Sequence, residues 1–196
     1  MTEDILTPER ILETAEDVLR RFGPTKATVI DVARALNVSH GSVYRHFPSK
    51  AALRDAVTQQ WLARLSEPLA QALEEKGSAV QRLRHWFDLL ITSKRKSARD
   101  DPELFATYMA LVAEAREVVQ AHVADLVGQI TRIIADGVAR GEFTVTDPAT
   151  AGRAVFHATT RFHNPAHAQE WSSPDIDASF EGVWSLLLYG LGVRKP

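Results

Sequence analysis

Apolar residues recur at intervals of three and four along almost the whole chain, the spacing of amphipathic helices, and nowhere alternate as a half-buried strand requires. Thr7-Pro8 predicts a helix start, and Ile11, Leu12, Ala15, Val18, Leu19 and Phe22 then share a face until Gly23-Pro24 stops it. Thr28 caps a second helix with Ile30, Ala33 and Leu36 on one face and Asn37 at its end. Ser39 caps a short third helix that turns Val43 and Phe47 inward before Pro48. Ser49 caps a long fourth through Leu53, Val57, Trp61, Leu65 and Leu69, with Pro68 expected to bend it or shift its end.

The pattern stays helical beyond Gly77-Ser78. Val80, Leu83, Phe87, Leu90 and Ile91 form one stripe, and Pro102 opens a shorter helix through Phe105, Tyr108, Met109 and Val112. Val119, Val123, Leu126, Ile130, Ile133, Ile134 and Val138 line a long helix ended by Gly141. Asp147-Pro148 and Ser173-Pro174 open two more. Loops are expected near 23–27, 75–78, 98–101, 141–147 and 164–173, none of them long enough to be a free linker. The prediction is an all-α chain of about nine helices: an N-terminal three-helix part over residues 1–56 and a larger helical part over 57–196.

Composition narrows this only a little. With 45% hydrophobic and 24% charged residues the chain is an ordinary globular protein, not a disordered or fibrous one. No cysteine is present, which excludes disulfides, thiolate metal sites and cysteine nucleophiles. MTEDILTPER lacks an apolar leader and no apolar run reaches membrane-spanning length, so a cytoplasmic protein without a membrane partner is expected. The net charge of −2 argues against a polyanion partner until its distribution is considered. Residues 1–56 hold eight Lys/Arg and eight Asp/Glu, yet every acid lies outside Ser39–Lys50, which carries Arg45, Lys50, His40 and His46.

A helix, a tight turn at Asn37 and a short helix with small and polar residues outward make the arrangement of a helix-turn-helix. The outer face of the short helix bears His40, Gly41, Ser42, Tyr44, Arg45 and His46, side chains short or polar enough to enter a major groove. The stretch TVIDVARALNVSHGSVYRHFPSKAAL, Thr28 to Leu53, resembles the tetracycline-repressor family of bacterial transcriptional regulators. Ala33, Val38, Ser39, Gly41, Tyr44, His46, Phe47, Lys50 and Leu53 carry the match, which covers about the first quarter of the chain. One departure is Asn37, where the family pattern favours glycine; asparagine can adopt the same backbone conformation.

The resemblance implies a DNA-binding surface of Thr28, Ser39, His40, Gly41, Ser42, Tyr44, Arg45, His46 and Lys50. Thr28, Tyr44, His46 and Lys50 would contact phosphates, and His40, Gly41 and Ser42 would lie near base edges. Arg45 could read a guanine at two points or hold a phosphate. Thr28 and Lys50 sit at helix N-termini, where free N–H groups and the helix dipole favour an anion.

The resemblance further implies a C-terminal helical domain that dimerises and takes a small-molecule effector; no cofactor is expected, and no nucleophile–base spacing or H-E-x-x-H metal signature supports an enzyme. Ala151, Ala154, Val155 and Ala158 on one late helix and the run from Trp184 to Leu191 on the last suit a homodimer interface, hence a palindromic double-stranded operator. Together these make the expected function a ligand-responsive DNA-binding regulator, a repressor released by its effector. Trp86, Phe105, Tyr108, Met109, His122, Phe156 and His157 are the candidate effector-binding residues, and the lack of a charged cluster among them favours a neutral or amphipathic effector. His122, His157, His163, His167 and Asp125 admit two readings, a divalent metal site or capping and loop packing. SKRKSARD, Ser93 to Asp100, is either a second basic patch or a set of solvated cations at a helix C-terminus.

Overall fold

The computed structural model describes residues 6–193. It is 81% helical, and no strand occurs among the described residues. The described residues form ten α-helices: α1 Pro8–Lys26, α2 Val29–Ala35, α3 His40–His46, α4 Lys50–Glu74, α5 Ala79–Asp100, α6 Pro102–Glu114, α7 Arg116–Ala139, α8 Pro148–Ala158, α9 Thr160–His163 and α10 Ile176–Gly190, with a 3-10 helix over Pro165–Glu170. None is long and apolar enough to cross a membrane.

The expected boundaries follow from local chemistry. Thr7 accepts from the Arg10 amide, Thr28 from Asp31, Ser39 from Ser42 and Ser49 from the Ala52 amide, so each of the first four helices starts on a hydroxyl cap. Asn37 has φ 56°, with its amide bonded to Arg34 O and the Val38 amide to Ala33 O, which closes the end of α2 in the left-handed form.

Other details differ. Gly23, at φ 74°, breaks the regular helix as expected, but one further turn follows through Pro24 to Lys26. α4 passes through Pro68 to Glu74. The 98–101 loop shrinks to Asp101, which caps α6 by accepting from the Leu104 amide at 2.9 Å. Ser173-Pro174 does not open the last helix: that segment is a turn, and α10 begins at Ile176. Ile30 is 57% exposed, because α2 buries Val29, Val32, Ala33 and Leu36 instead. Phe22 also faces outward, with the Arg21 guanidinium over its ring.

The chain forms two compact units that are not simple halves. The first runs to Leu62 and takes in Asp101–Gln120; the second holds Ala63–Asp100 and everything described from Ala121 onward. The helix-turn-helix unit therefore includes α6, which a division at residue 56 would leave in the second part. In this unit α6 packs on α1, Arg20 pairs with Asp101 at 3.7 Å, and Arg54 on α4 pairs with Glu114 at 2.7 Å. Tyr108 stacks on Trp61 with ring centroids 4.2 Å apart.

In the second unit α5 and α7 carry the centre of the core through Leu83, Trp86, Phe87, Leu90, Ile130, Ile133 and Ile134. Gly137 is required by close approach: a Cβ there would lie 2.4 Å from the Phe143 ring and 2.7 Å from Ala79 Cβ. Arg84 pairs α5 with Glu181 of α10 at 2.6 Å, and Arg95 pairs with Asp177 at 2.7 Å.

Candidate nucleic-acid interface and buried polar core

α3 is seven residues long and buries one side chain, Val43, completely. That single anchor, with half-buried Phe47 at the C-cap, leaves the rest of the helix outward. Ser39, His40, Gly41, Tyr44, Arg45 and His46 are exposed, and Ser42 and Lys50 are half-buried. The outward groups are ordered by short contacts along the helix. Ser39 Oγ lies 2.9 Å from Ser42 Oγ and accepts from the Ser42 amide; Arg45 Nη2 donates to Ser42 Oγ at 3.2 Å. The His40 and Tyr44 rings meet edge to face. An added Cβ at Gly41 would meet only Ser39 Oγ, at 3.7 Å, so packing within the chain does not require glycine there.

Thr28 is exposed at the start of α2, but its donors are engaged. Its hydroxyl donates to Asp31 Oδ2 at 2.6 Å and its amide to the same oxygen at 3.1 Å. The Thr28 hydroxyl holds the Asp31 carboxyl below the ordinary carboxylate range, against the opposing effect of burial and with further help from the Thr28 amide and Arg34. A phosphate arriving at this helix end meets a carboxylate already in the anion position. Lys50, at the first position of α4 behind the Ser49 cap, has no acid of its own in the first turn.

The candidate effector residues fall in two places. Phe105, Tyr108 and Met109 belong to α6 and hence to the helix-turn-helix unit. Trp86, His122, Phe156 and His157 belong to the second unit, where Trp86 and Phe156 are buried and His157 is exposed. The Trp86 indole N–H donates to Gln129 Oε1 at 2.9 Å, and Gln129 Nε2 donates to Asp125 Oδ2 at 2.9 Å. His163 is buried against Thr159 Oγ1 at 3.2 Å and Phe156 O at 3.3 Å, and its ring tilts onto Phe156. His167 pairs with Glu170 at 2.7 Å. Among the described residues no group of three His, Asp or Glu side chains is placed to hold a metal ion.

The sequence reading missed Lys94. It is 5% exposed, inside the core of the second unit. Its spacing gave the clue: it extends the stripe Phe87, Leu90, Ile91 by one more turn. SKRKSARD is not uniformly solvated, since Lys94 turns inward while Lys96 and Arg99 stay exposed beside Asp100.

Burial pushes Lys94 down to about 8. His122 and His163 are both lowered to about 4, first by burial and further by the Lys94 charge. At neutral pH both imidazoles are therefore neutral, and Lys94 joins Arg82 as a buried cation of this unit.

In the last helix the run from Trp184 to Leu191 divides. Trp184 and Leu191 face the core, whereas Leu186 is 73% and Tyr189 84% exposed. On α8, Ala154 and Ala158 are likewise outward.

Comparison with known proteins agrees at both ends of the chain. The family described as bacterial regulatory proteins, tetR family, matches residues 11–57, and the tetracyclin repressor-like C-terminal domain matches residues 79–184. An uncharacterized HTH-type transcriptional regulator of Mycobacterium tuberculosis is 28% identical over 103 residues, 53% of this chain and 49% of that one. The chain thus spans about half the length of the first curated relatives it matches. Among solved structures, SmeT, the repressor of the Stenotrophomonas maltophilia multidrug efflux pump SmeDEF, superposes with a TM-score of 0.68 at 19% identity, covering 97% of this chain and 94% of that one. Thermus thermophilus FadR, a TetR-family transcriptional repressor in complex with lauroyl-CoA, gives 0.63 at 24% identity, covering 97% of each chain. The structural likenesses share the fold, and the C-terminal match alone takes in more than half of the 196 residues; the chain belongs to the TetR family of bacterial transcriptional regulators.

Proposed function

We propose that the protein is a transcriptional repressor that binds a palindromic operator as a homodimer and leaves it when a small molecule occupies the second unit. The outward face of α3 carries this reading: one buried valine fixes the helix, and every other side chain from His40 to His46 is left at or near the surface. Tyr44, His46 and Lys50 serve as phosphate contacts, with Thr28 contributing at the α2 end once its carboxylate partner yields. His40, Gly41, Ser42 and Arg45 face the bases.

Dimerisation uses α8 and α10, whose outward Ala154, Ala158, Leu186 and Tyr189 form an apolar surface with small residues for close approach. α4 contributes its first residues to one unit and its last to the other, so it is the continuous element through which effector occupancy reaches the recognition helix. The effector acts by favouring one spacing of the two recognition helices over the other. Such a repressor works in the cytoplasm, where the chromosome lies.

Selection of duplexes from a random library by the purified protein tests the reading. The expected product is a sequence with two-fold symmetry and half-sites one helical turn apart or a multiple of it, bound by a species of dimer mass in native mass spectrometry. Recovery of no sequence preference would refute it.

A further inference from the structure

We propose that Ile30 is a base reader: its side chain packs on the C5-methyl group of one thymine at the outer edge of each operator half-site, so that α2 as well as α3 sets base preference. This deepens the DNA-binding reading above and rests on it. Ile30 stands in the first turn of α2, two residues after the Thr28 cap. α2 packs on α3, and in a helix-turn-helix the first helix crosses the backbone beside the groove that the second enters. Ile30 is about 3 Å along the helix axis from Thr28, so a duplex that reaches the cap also reaches Ile30.

The side chain is turned out for no reason of folding. Val29, Val32, Ala33 and Leu36 hold α2 to its unit, and Ile30 shares the outward side with Arg34, one turn on. The polar groups around it are tied to one another: the Thr28 hydroxyl donates to Asp31 Oδ2 at 2.6 Å, and Arg34 Nη1 to Asp31 Oδ1 at 3.1 Å. Of the exposed large apolar side chains described in the first unit, Phe22 lies under the Arg21 guanidinium and Tyr44 meets His40 edge to face, and Ile30 is the most open of the three. At an outward helix position alanine, lysine or arginine would serve the helix better than a β-branched residue.

The chemistry of the side chain selects what it touches. An aliphatic group gains nothing from a phosphate, and against the donors and acceptors of the base edges it would leave a hydrogen bond unmade. The thymine methyl is the apolar group that the major groove offers. The β-branch also confines Ile30 to one dominant rotamer in a helix, so its methyl groups are presented in a fixed place with little freedom left to lose on binding.

The test uses the full chain and the duplex it selects from the random library, with each symmetry-related pair of thymines replaced in turn by deoxyuridine, which pairs identically but lacks the methyl. Affinities are measured for the parent and for Ile30→Ala. One methyl contact per half-site is worth about fourfold, and two together about tenfold or more. The expected result is one pair of thymines whose replacement weakens the parent by about that factor and leaves Ile30→Ala unchanged, with Ile30→Ala weaker than the parent on the thymine duplex by the same factor. Equal binding of both proteins to the thymine duplex overturns the proposal. So does a loss in Ile30→Ala that persists on every uracil-substituted duplex, which would assign the side chain to the backbone or to a second copy of the protein. Either result leaves the DNA-binding reading intact, whereas a parent that selects no duplex overturns both.

Discussion

Arg45 and Ser42 are joined along the exposed edge of α3, Nη2 to Oγ at 3.2 Å, and Ser42 is itself held against the Ser39 cap. The longest side chain on the recognition surface is therefore laid along the helix before DNA arrives, so less side-chain freedom remains to be lost on binding. Arg45→Ala is expected to relax base preference at one position of each half-site, costing about 1–3 kcal/mol against the preferred duplex and little against others. Binding measured on a panel of single-base operator variants checks this; uniform weakening across the panel would reassign Arg45 to a phosphate.

Lys50→Ala should behave in the opposite way. Affinity for all duplexes falls together, and the slope of log affinity against log salt becomes shallower by about one unit per protomer. Anisotropy titrations at several salt concentrations give the slope directly.

Lys94→Met is expected to stabilise the protein. In the folded state the ammonium is lowered from 10.5 to about 8, so at neutral pH its burial opposes folding by roughly 3 kcal/mol. The unfolded chain binds the extra proton between pH 8 and 10.5, so the parent gains stability as pH rises through that window and the variant's advantage shrinks. Urea unfolding of both proteins at pH 7 and pH 10 measures the difference.

Acid acts on the same core through His122 and His163, which are lowered from 6.5 to about 4 because burial disfavours their charged forms. Between those values the unfolded chain takes up protons that the folded one refuses, so stability falls as pH drops from about 6.5 to about 4. The loss is of the order of a few kcal/mol for the pair, and thermal midpoints recorded across that range follow it. His163→Phe is expected to flatten part of the profile.

Gly137→Ala tests the packing of α7. The new methyl would sit 2.4 Å from Phe143 Cδ2 and 2.7 Å from Ala79 Cβ, and no flexible chain end is available to yield. A destabilisation of about 1–3 kcal/mol is expected by urea denaturation.

The helix-turn-helix was legible because its determinants are local: four hydroxyl caps and one left-handed asparagine each act within a few residues. Ile30 was misplaced for a related reason. The expected face Ile30, Ala33 and Leu36 lies one residue on from Val29 and Val32 at the same spacing, and tertiary packing buries Val29, Val32, Ala33 and Leu36 while leaving out Ile30 alone. Ser173-Pro174 has the form of a helix start, yet the Ser173 amide closes a turn onto Glu170 O and delays α10 to Ile176. Lys94 was hidden by its neighbours: among Ser93, Arg95 and Lys96 it reads as one more solvated cation, although its position on the stripe pointed inward. The membership of α6 could not be read at all, since it depends on an association between residues about eighty positions apart.

That association limits how the protein can be cut and recombined. A fragment ending at Leu62 would contain all of α1 to α3 but lack Asp101–Gln120, the segment that places α6 against α1 and Tyr108 against Trp61. A chimera built by joining this chain's first sixty residues to a relative's remainder would pair α1 and Trp61 with a foreign α6. Transplanting its operator preference therefore means moving two separate stretches of sequence together, or restricting the graft to the few outward positions of α2 and α3.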